Sequence, residues 1–503
     1  MHGASCTALL LRPRRSSNGA PPAYRDCLFR DSLPSPIRAG FMMDAARLSP
    51  FRAELSATLR LALPLVGANL IQMAIYAVDV MFVARLGPDE LAASTLGIAA
   101  FSLLVWSATG LIALAPIASA ELGRRSHSVR EVRRTTRMAI WLTVAIGVSI
   151  ALIFQHGEAL FLATGQSVAL SRHAGDFLAI LAFAIPAMLL AATLRQFIST
   201  LDRAAYATCI NLFALGANIL GNWLLVFGHG GFPALGLIGS ALASVVTSWV
   251  TLLAYAIVIK LDRRLRRYRI MGRWWRPEWR RLIEMLRLGG PVAGTILAEA
   301  GLFAGAAFLM GRIGEAELAG HAVALQVAAL AFQVPFGVGQ AATIRVGLAY
   351  GACDRAAIAL AGRACLIMGI GFMAATALAM IAFPRLILSA YVDLDAPPNA
   401  AMVVHATQFL MIAAAFQLFD GAQAVGAGAL RGLQDSRVPM GYALFGYWIP
   451  GMGTSIVLGF FTPLRGLGVW IGLLVGLTVV AALMLQRWVR RERLGLVPNS
   501  VAA

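Results

Sequence analysis

The chain has 503 residues, 59% of them hydrophobic and only 13% charged. Charged residues make up about 25% of an ordinary soluble domain, so this composition excludes a water-soluble globule and fits a multispanning membrane protein. A formal net charge of +18 would suit a nucleic-acid binder, but a basic patch needs a polar scaffold that is lacking here, so no nucleic-acid partner is expected.

Residues 1–58 are rich in Arg, Pro and Ser and hold no apolar run long enough for a secretory signal, which predicts a disordered basic segment. Met42 and Met43 open the stretch MMDAARLSPF, which runs into the first apolar segment and makes them alternative translation starts. From Leu59 onward come twelve apolar segments, centred near Gln72, Val105, Val144, Phe183, Ala217, Val246, Glu299, Phe332, Phe372, Phe416, Thr454 and Val475. Each is long enough to cross a ~30 Å hydrocarbon core as a helix. With the N-terminus inside, only Arg85, Arg172, Arg312, Arg385 and Arg465 of the 42 basic residues fall on the outside, so the positive-inside rule puts both termini in the cytoplasm.

The longest loop, Lys260 to Arg287, carries Trp274, Trp275 and Trp279 among its arginines and reads as a short helix on the inner leaflet or a solvated connector. It divides an internal repeat. One constant offset puts Pro64 on Pro291, Arg85 on Arg312, Gly87 on Gly314, Glu90 on Glu317 and Gly110 on Gly337, and later Leu194-Arg195 matches Leu430-Arg431. The expected fold is an all-α membrane protein of twelve transmembrane helices in two six-helix pseudo-symmetric bundles, 59–261 and 286–488. A cytoplasmic linker, 262–285, joins them, and a cytoplasmic tail, 489–503, follows. An even number of helices per half gives a parallel repeat enclosing a midplane cleft, where alternating access would operate.

Familiar enzyme signatures are absent: the single lysine, Lys260, lies in YAIVIKL, so there is no phosphate-binding GxxxxGK[ST], and neither HExxH nor GxSxG occurs. Five cysteines without CxxC spacing indicate neither a disulfide framework nor a zinc site, and no cofactor is expected.

Of the 24 acids, only Asp79, Glu299 and Asp420 lie well inside apolar spans, and no arginine or lysine is expected within those spans to neutralise them. An ionised carboxylate at that depth costs roughly 2.5–3.5 kcal/mol. What remains as partner is a bound cation, a proton or water. Burial disfavours the ionised carboxylate and an arriving cation favours it, which makes an exchange site in which ion and drug exclude one another. Asp79 lies six residues before Arg85, within ~9 Å along a helix, so pairing toward the outer face is an alternative there. Asn218 and Asn222 share one helix face and either serve a carboxylate or ligand or bridge helices, and Gln326 and Gln333 carry the same ambiguity.

The stretches PLVGANLIQMAIYAVDVMFVARLG (64–87), AGHAVALQVAALAFQVPFGVGQAATIRVG (319–347) and FQLFDGAQAVGAGALRGLQD (416–435) resemble the multidrug and toxic compound extrusion (MATE) family over residues 59–488. With acids in the first, seventh and tenth helices, the chain looks most like the bacterial multidrug/sodium antiporter branch. The resemblance implies a C-terminal cation site at Glu299 and Asp420, a candidate sodium site, and an N-terminal polar cluster of Asp79, Asn218 and Asn222. The polar cavity would also include Gln326. It further implies sodium ions or protons as coupling ion, hydrophobic or cationic small molecules as substrates, and a monomer in the bacterial inner membrane. Phe416 stands where some relatives carry a tyrosine, which keeps proton coupling open. Two rivals are a lipid-linked oligosaccharide flippase of the same superfamily, which would want an arginine-bearing cavity, and a polytopic membrane enzyme, for which the loops are too short.

Overall fold

The structure is a computed structural model that describes residues 50–124, 128–272, 277–394 and 396–498. Among these residues it is helical without strands. Twelve helices are long and apolar enough to cross a membrane. In the first half these are α1 (Pro50–Val83), α2 (Pro88–Gly123), α3 (Ser128–Phe154), α4 (Val168–Thr200), α5 (Ala205–Phe227) and α6 (Gly236–Leu261). In the second they are α7 (Trp279–Ile313), α8 (Glu315–Gly351), α9 (Arg355–Ala382), α10 (Pro397–Gly432), α11 (Arg437–Phe460) and α12 (Gly466–Val489). Helix ends follow local chemistry. Asp354 caps α9 by accepting the Ala357 amide at 2.9 Å, and α5 stops at Gly228, whose φ of 74° suits a residue without a Cβ.

Each half buries its own apolar cluster, one around Phe101, Phe154, Leu178 and Phe197, the other around Leu302, Phe409, Trp470 and Leu477. The two lobes therefore have separate interiors. They are joined by a third, smaller cluster in which Leu61, Ala62 and Leu65 of α1 meet Val338, Ala341, Ala342 and Ile344 of α8.

That junction sits toward one face of the molecule, the face bearing the arginine-rich connection between α6 and α7. There α8 lies so close to α2 that a Cβ on Gly351 would stand 1.9 Å from the Ala120 carbonyl oxygen, and one on Gly347 would stand 2.0 Å from Ser119 Oγ. Gly289 of α7 likewise sits against the Leu111 carbonyl, where α2 breaks. Glycine is required at such approaches because any side chain would wedge the lobes apart.

Ion pairs reinforce the same face. Arg345 of α8 donates to both carboxylate oxygens of Glu54 in α1, at 2.9 and 2.5 Å. Arg281 at the start of α7 reaches Glu121 of α2 at 2.8 Å and also Glu131 of α3. Arg134 of α3 reaches Glu278 at 2.6 Å, and Arg137 pairs with the same carboxylate.

These contacts change two boundaries and one loop reading expected from the sequence. Residues 50–58 are the first turns of α1 rather than part of a disordered segment, because Glu54 and the buried Thr58 tie them to the lobes; residues 1–49 lie outside the described residues. The second bundle opens at Trp279 rather than 286, since Arg281 is anchored by acids of the first half. The connection from Lys260 does not form a separate surface helix among its described residues: it holds a single turn, Arg263–Arg266, capped by Asp262. It then folds back, with Leu265 buried and Tyr268 packed edge-on to Phe197 at 5.6 Å. Trp274 and Trp275 lie outside the described residues.

Gly351→Val should force α8 off α2, weakening closure of this face by about 1–3 kcal/mol. Spin labels at Arg130 and Ala356 should then report a longer mean distance than in the unsubstituted protein, and an unchanged distance would contradict the role given to this contact.

Candidate ion and substrate site

Asp79 lies on the face of α1 that turns into the first lobe, packed against α5 and α6. It is 9% exposed and accepts three hydrogen bonds. Asn218 and Asn222 donate to Oδ1 at 2.9 and 2.7 Å, and Ser244 of α6 donates to Oδ2 at 2.8 Å. The four-residue spacing of the two asparagines delivers both amides to one oxygen. Their bonds are to the carboxylate inside a lobe, and both side chains are fully buried. Arg85 is exposed and, among the described residues, forms no ion pair with Asp79. Ser244 was not singled out from the sequence, since a serine in an apolar helix is ordinarily satisfied by its own backbone.

Glu299 of α7 and Asp420 of α10 come together in the other lobe. Their carboxylates are close enough for one to feel the other's charge, and Gln423, one turn beyond Asp420, lies beside Glu299. Asp420 is 5% exposed, and its Oδ1 has no hydrogen-bond partner; the same holds for Oε1 of Gln423 and the hydroxyl of Tyr447. Tyr447 begins a π-helical turn of α11, Tyr447–Gly451, interrupted by Pro450; a wide turn of this kind re-aims side chains and recurs at functional sites. Phe416 lacks a hydroxyl and packs on Trp470 at 5.5 Å, so the phenol of this site comes from α11. Neither Gln423 nor Tyr447 carries a sequence signal, because only the assembly of the lobe, with α10 packed on α8, α9 and α12, sets them across from the acids.

One expectation needs correction. Basic side chains do reach into these lobes: Arg195 Nη1 donates to Asn69 Oδ1 at 3.2 Å, and the charge of Arg431, on the last turn of α10, acts on Glu299. The long side chain of arginine lets a residue near a helix end place its guanidinium well inside. Arg195 is thus engaged within a lobe, and Arg431 is its counterpart in the internal repeat.

Gln326 is exposed on α8, eleven residues before Gly337 and so on the same face. Gly337 meets Val66 of α1, which turns the Gln326 stripe toward the cleft between lobes. Trp106 and Phe336, 6.2 Å apart, meet edge-on across the same cleft. The acids thus lie inside the two lobes, and the cleft between them is lined by aromatic, apolar and amide groups. Among the described residues there is no group of three or more His, Cys, Asp and Glu that could hold a metal ion. Two carboxylates with amide and phenol oxygens suit a proton or a weakly bound monovalent cation better than a divalent cage.

A family model for MatE matches residues 64–224 and again 291–457, so the same unit recurs once in each lobe. The chain belongs to the MatE family. A probable multidrug resistance protein NorM of Mesorhizobium japonicum is 45% identical over 456 residues, which cover 90% of this chain and 98% of that protein. The multidrug resistance protein NorM of Burkholderia vietnamiensis is 38% identical, covering 86% and 93%. Among solved structures, a MATE protein in complex with MaL6 superposes with a TM-score of 0.80 at 20% identity, covering 88% of this chain and 97% of its own. An outward-facing multidrug resistance MATE transporter gives 0.79 at 20% identity, covering 88% and 96%. This MatE protein is accordingly a multi-pass membrane protein with the MATE fold.

Ser244→Ala removes one of three donors from Asp79, a loss of about 1 kcal/mol, or roughly fivefold. Ion-driven dye efflux from liposomes should slow by that factor at unchanged protein insertion; a wild-type rate would show the third donor to be idle.

Proposed function

We propose that this protein is a secondary multidrug efflux antiporter that exports hydrophobic or cationic compounds in exchange for sodium ions or protons by alternating access. The observation that carries the reading is Asp420, buried in the second lobe with one carboxylate oxygen unpartnered and with the half-buried Glu299 beside it. An acid held at that depth is expensive unless it has work to do. The names of the NorM relatives supply the substrate class.

The arginine-rich face, where the lobes meet, is cytoplasmic under the positive-inside rule. Contact confined to that face then corresponds to a form whose cleft is accessible from outside. A cation arriving at Asp420 from outside restores charge balance in the second lobe, and the packing of the helices around it changes in response. Reorganisation of that lobe reshapes the cleft wall and releases the drug. Discharge of the ion on the cytoplasmic side resets the site. Asp79, with its three donors, gives the first lobe an acid of its own. The protein acts as a monomer in the bacterial inner membrane, both termini are cytoplasmic, and it transports rather than transforms its substrate. Engagement of Arg195 by Asn69 inside the first lobe supports this reading over a flippase that binds a pyrophosphate in the cleft.

The test is efflux of a fluorescent hydrophobic cation from liposomes under an imposed sodium gradient, then under an imposed pH gradient. One of them should drive transport in the unsubstituted protein. Asp420→Asn should insert and bind dye yet lose nearly all gradient-driven efflux, because the amide neither exchanges a proton nor offers full charge to a cation. Full activity in that variant would remove the mechanism.

A further inference from the structure

The arginine-rich face is built from two kinds of arginine. Arg134, Arg137, Arg281 and Arg345 are engaged by glutamates that tie helices and lobes together. The connection after α6 is different. Residues 260–272 carry six basic side chains against one acid. That acid, Asp262, accepts the amides of Arg264 and Leu265 and the hydroxyl of Tyr206 at 3.1 Å, and pairs with Arg203. Arg263, Arg264, Arg266, Arg267 and Arg269 are all exposed, and among the described residues none of the five is paired with a carboxylate.

The segment is nevertheless fixed in place. Leu265, Tyr268 and Ile270 are buried against the protein, so the arginines between them turn outward. Tyr268 meets Phe197, three residues before α4 ends at Thr200 and so about 4–5 Å inside the end of that helix. The chain therefore folds back from the end of α6 to the level of the last helical turns, where the headgroups of the leaflet lie. Arg267 lies over the Tyr268 ring at 5.4 Å. Arg269 turns the chain with φ 46°, a conformation that strains a residue with a Cβ and recurs where function maintains it. At both ends of the segment large apolar side chains face outward: Leu261, Met271 and Trp279 are 75%, 62% and 66% exposed.

Orientation in the bilayer requires basic residues in this connection but not a particular place for them, and a solvated loop would serve. Topology thus leaves the fold-back and the strained Arg269 unexplained. An anionic surface in contact with the arginines explains both. Guanidinium forks bind phosphate oxygens in pairs, and a polybasic segment directly after a spanning helix attracts anionic lipid headgroups. The exposed apolar side chains flanking the arginines favour a lipid over a soluble polyanion, because a lipid brings a phosphate and acyl chains together.

We infer that residues 261–272 form a binding site for anionic phospholipid of the cytoplasmic leaflet, with Arg263, Arg264, Arg266, Arg267 and Arg269 on the headgroup phosphates and Leu261, Met271 and Trp279 against the acyl chains. Asp262, Leu265 and Tyr268 present the arginines already in place, so little order is lost on binding. The site lies apart from the acids and the cleft, and its occupancy is measured without transport.

The test uses full-length protein in phosphatidylcholine vesicles with a minor fraction of spin-labelled lipid, which reports the lipid that the protein immobilises. The unsubstituted protein should immobilise labelled phosphatidylglycerol in preference to labelled phosphatidylcholine, and the preference should fall as salt is raised. A basic residue at such a surface contributes about fivefold to binding. Arg263→Gln with Arg264→Gln should therefore lower the affinity for phosphatidylglycerol about fivefold or more, and so should Arg266→Gln with Arg267→Gln. Reading the two pairs separately keeps the measurement valid if all four changes together impair insertion, and thermal unfolding of each pair in detergent should match the unsubstituted protein. Arg130→Gln, Arg437→Gln, Arg490→Gln and Arg493→Gln together remove four exposed arginines elsewhere on the same face and should leave the affinity near its unsubstituted value. Equal immobilisation of the two lipids by the unsubstituted protein would overturn the site, as would unchanged affinity in both pairs or an equal loss in the fourfold control. Displacement of the labelled lipid by inorganic phosphate would also overturn it, assigning the arginines to a soluble anion.

Discussion

A carboxylate at membrane depth is tolerated only where protein encloses it and supplies its partners, and this constraint organises the molecule. Asp79 is enclosed by α1, α5 and α6; Glu299 on α7 and Asp420 on α10 face one another inside a lobe whose helices α8, α9 and α12 pack on α10. Each acid site therefore needs a lobe with a closed interior of its own, and two such lobes leave a cleft between them. The separate apolar clusters are the packing counterpart of that division.

The lobes are held together in a way that a transporter can undo. Close backbone approach at Gly347 and Gly351 supplies dispersion over a small area, and ion pairs such as Arg345 with Glu54 supply orientation. Most of the buried apolar area lies within the lobes and only the small third cluster lies between them, so separating this face costs less than opening either lobe. The lobes can then rock as rigid bodies about the junction, each keeping its acid satisfied.

The acid sites differ in what they still lack. Asp79 has both oxygens supplied with donors, whereas Asp420 keeps one oxygen without a partner beside Glu299. Two neighbouring carboxylates repel unless a cation or proton lies between them, which makes the second lobe the one whose packing responds to the ion.

Much of this was legible in one dimension. Hydropathy alone demanded twelve spanning helices, because a ~30 Å apolar core admits little else, and the offset that puts Pro64 on Pro291 and Gly110 on Gly337 divided them into halves. The three intramembrane acids were visible because charge is so costly there, and the spacing of Asn218 and Asn222 is a property of any helix. Tertiary packing decided the rest. Ser244, Gln423 and Tyr447 look like ordinary residues until another helix brings a carboxylate to them, and Arg195 and Arg431 look like residues at helix ends until their side chains reach inward. The docking of residues 50–58 and 279–285 as helix depended on partners hundreds of positions away, Arg345 with Glu54 above all. Sequence determines what cannot face lipid, since that is a property of each residue; which groups satisfy one another is a property of pairs, and only the fold forms the pairs.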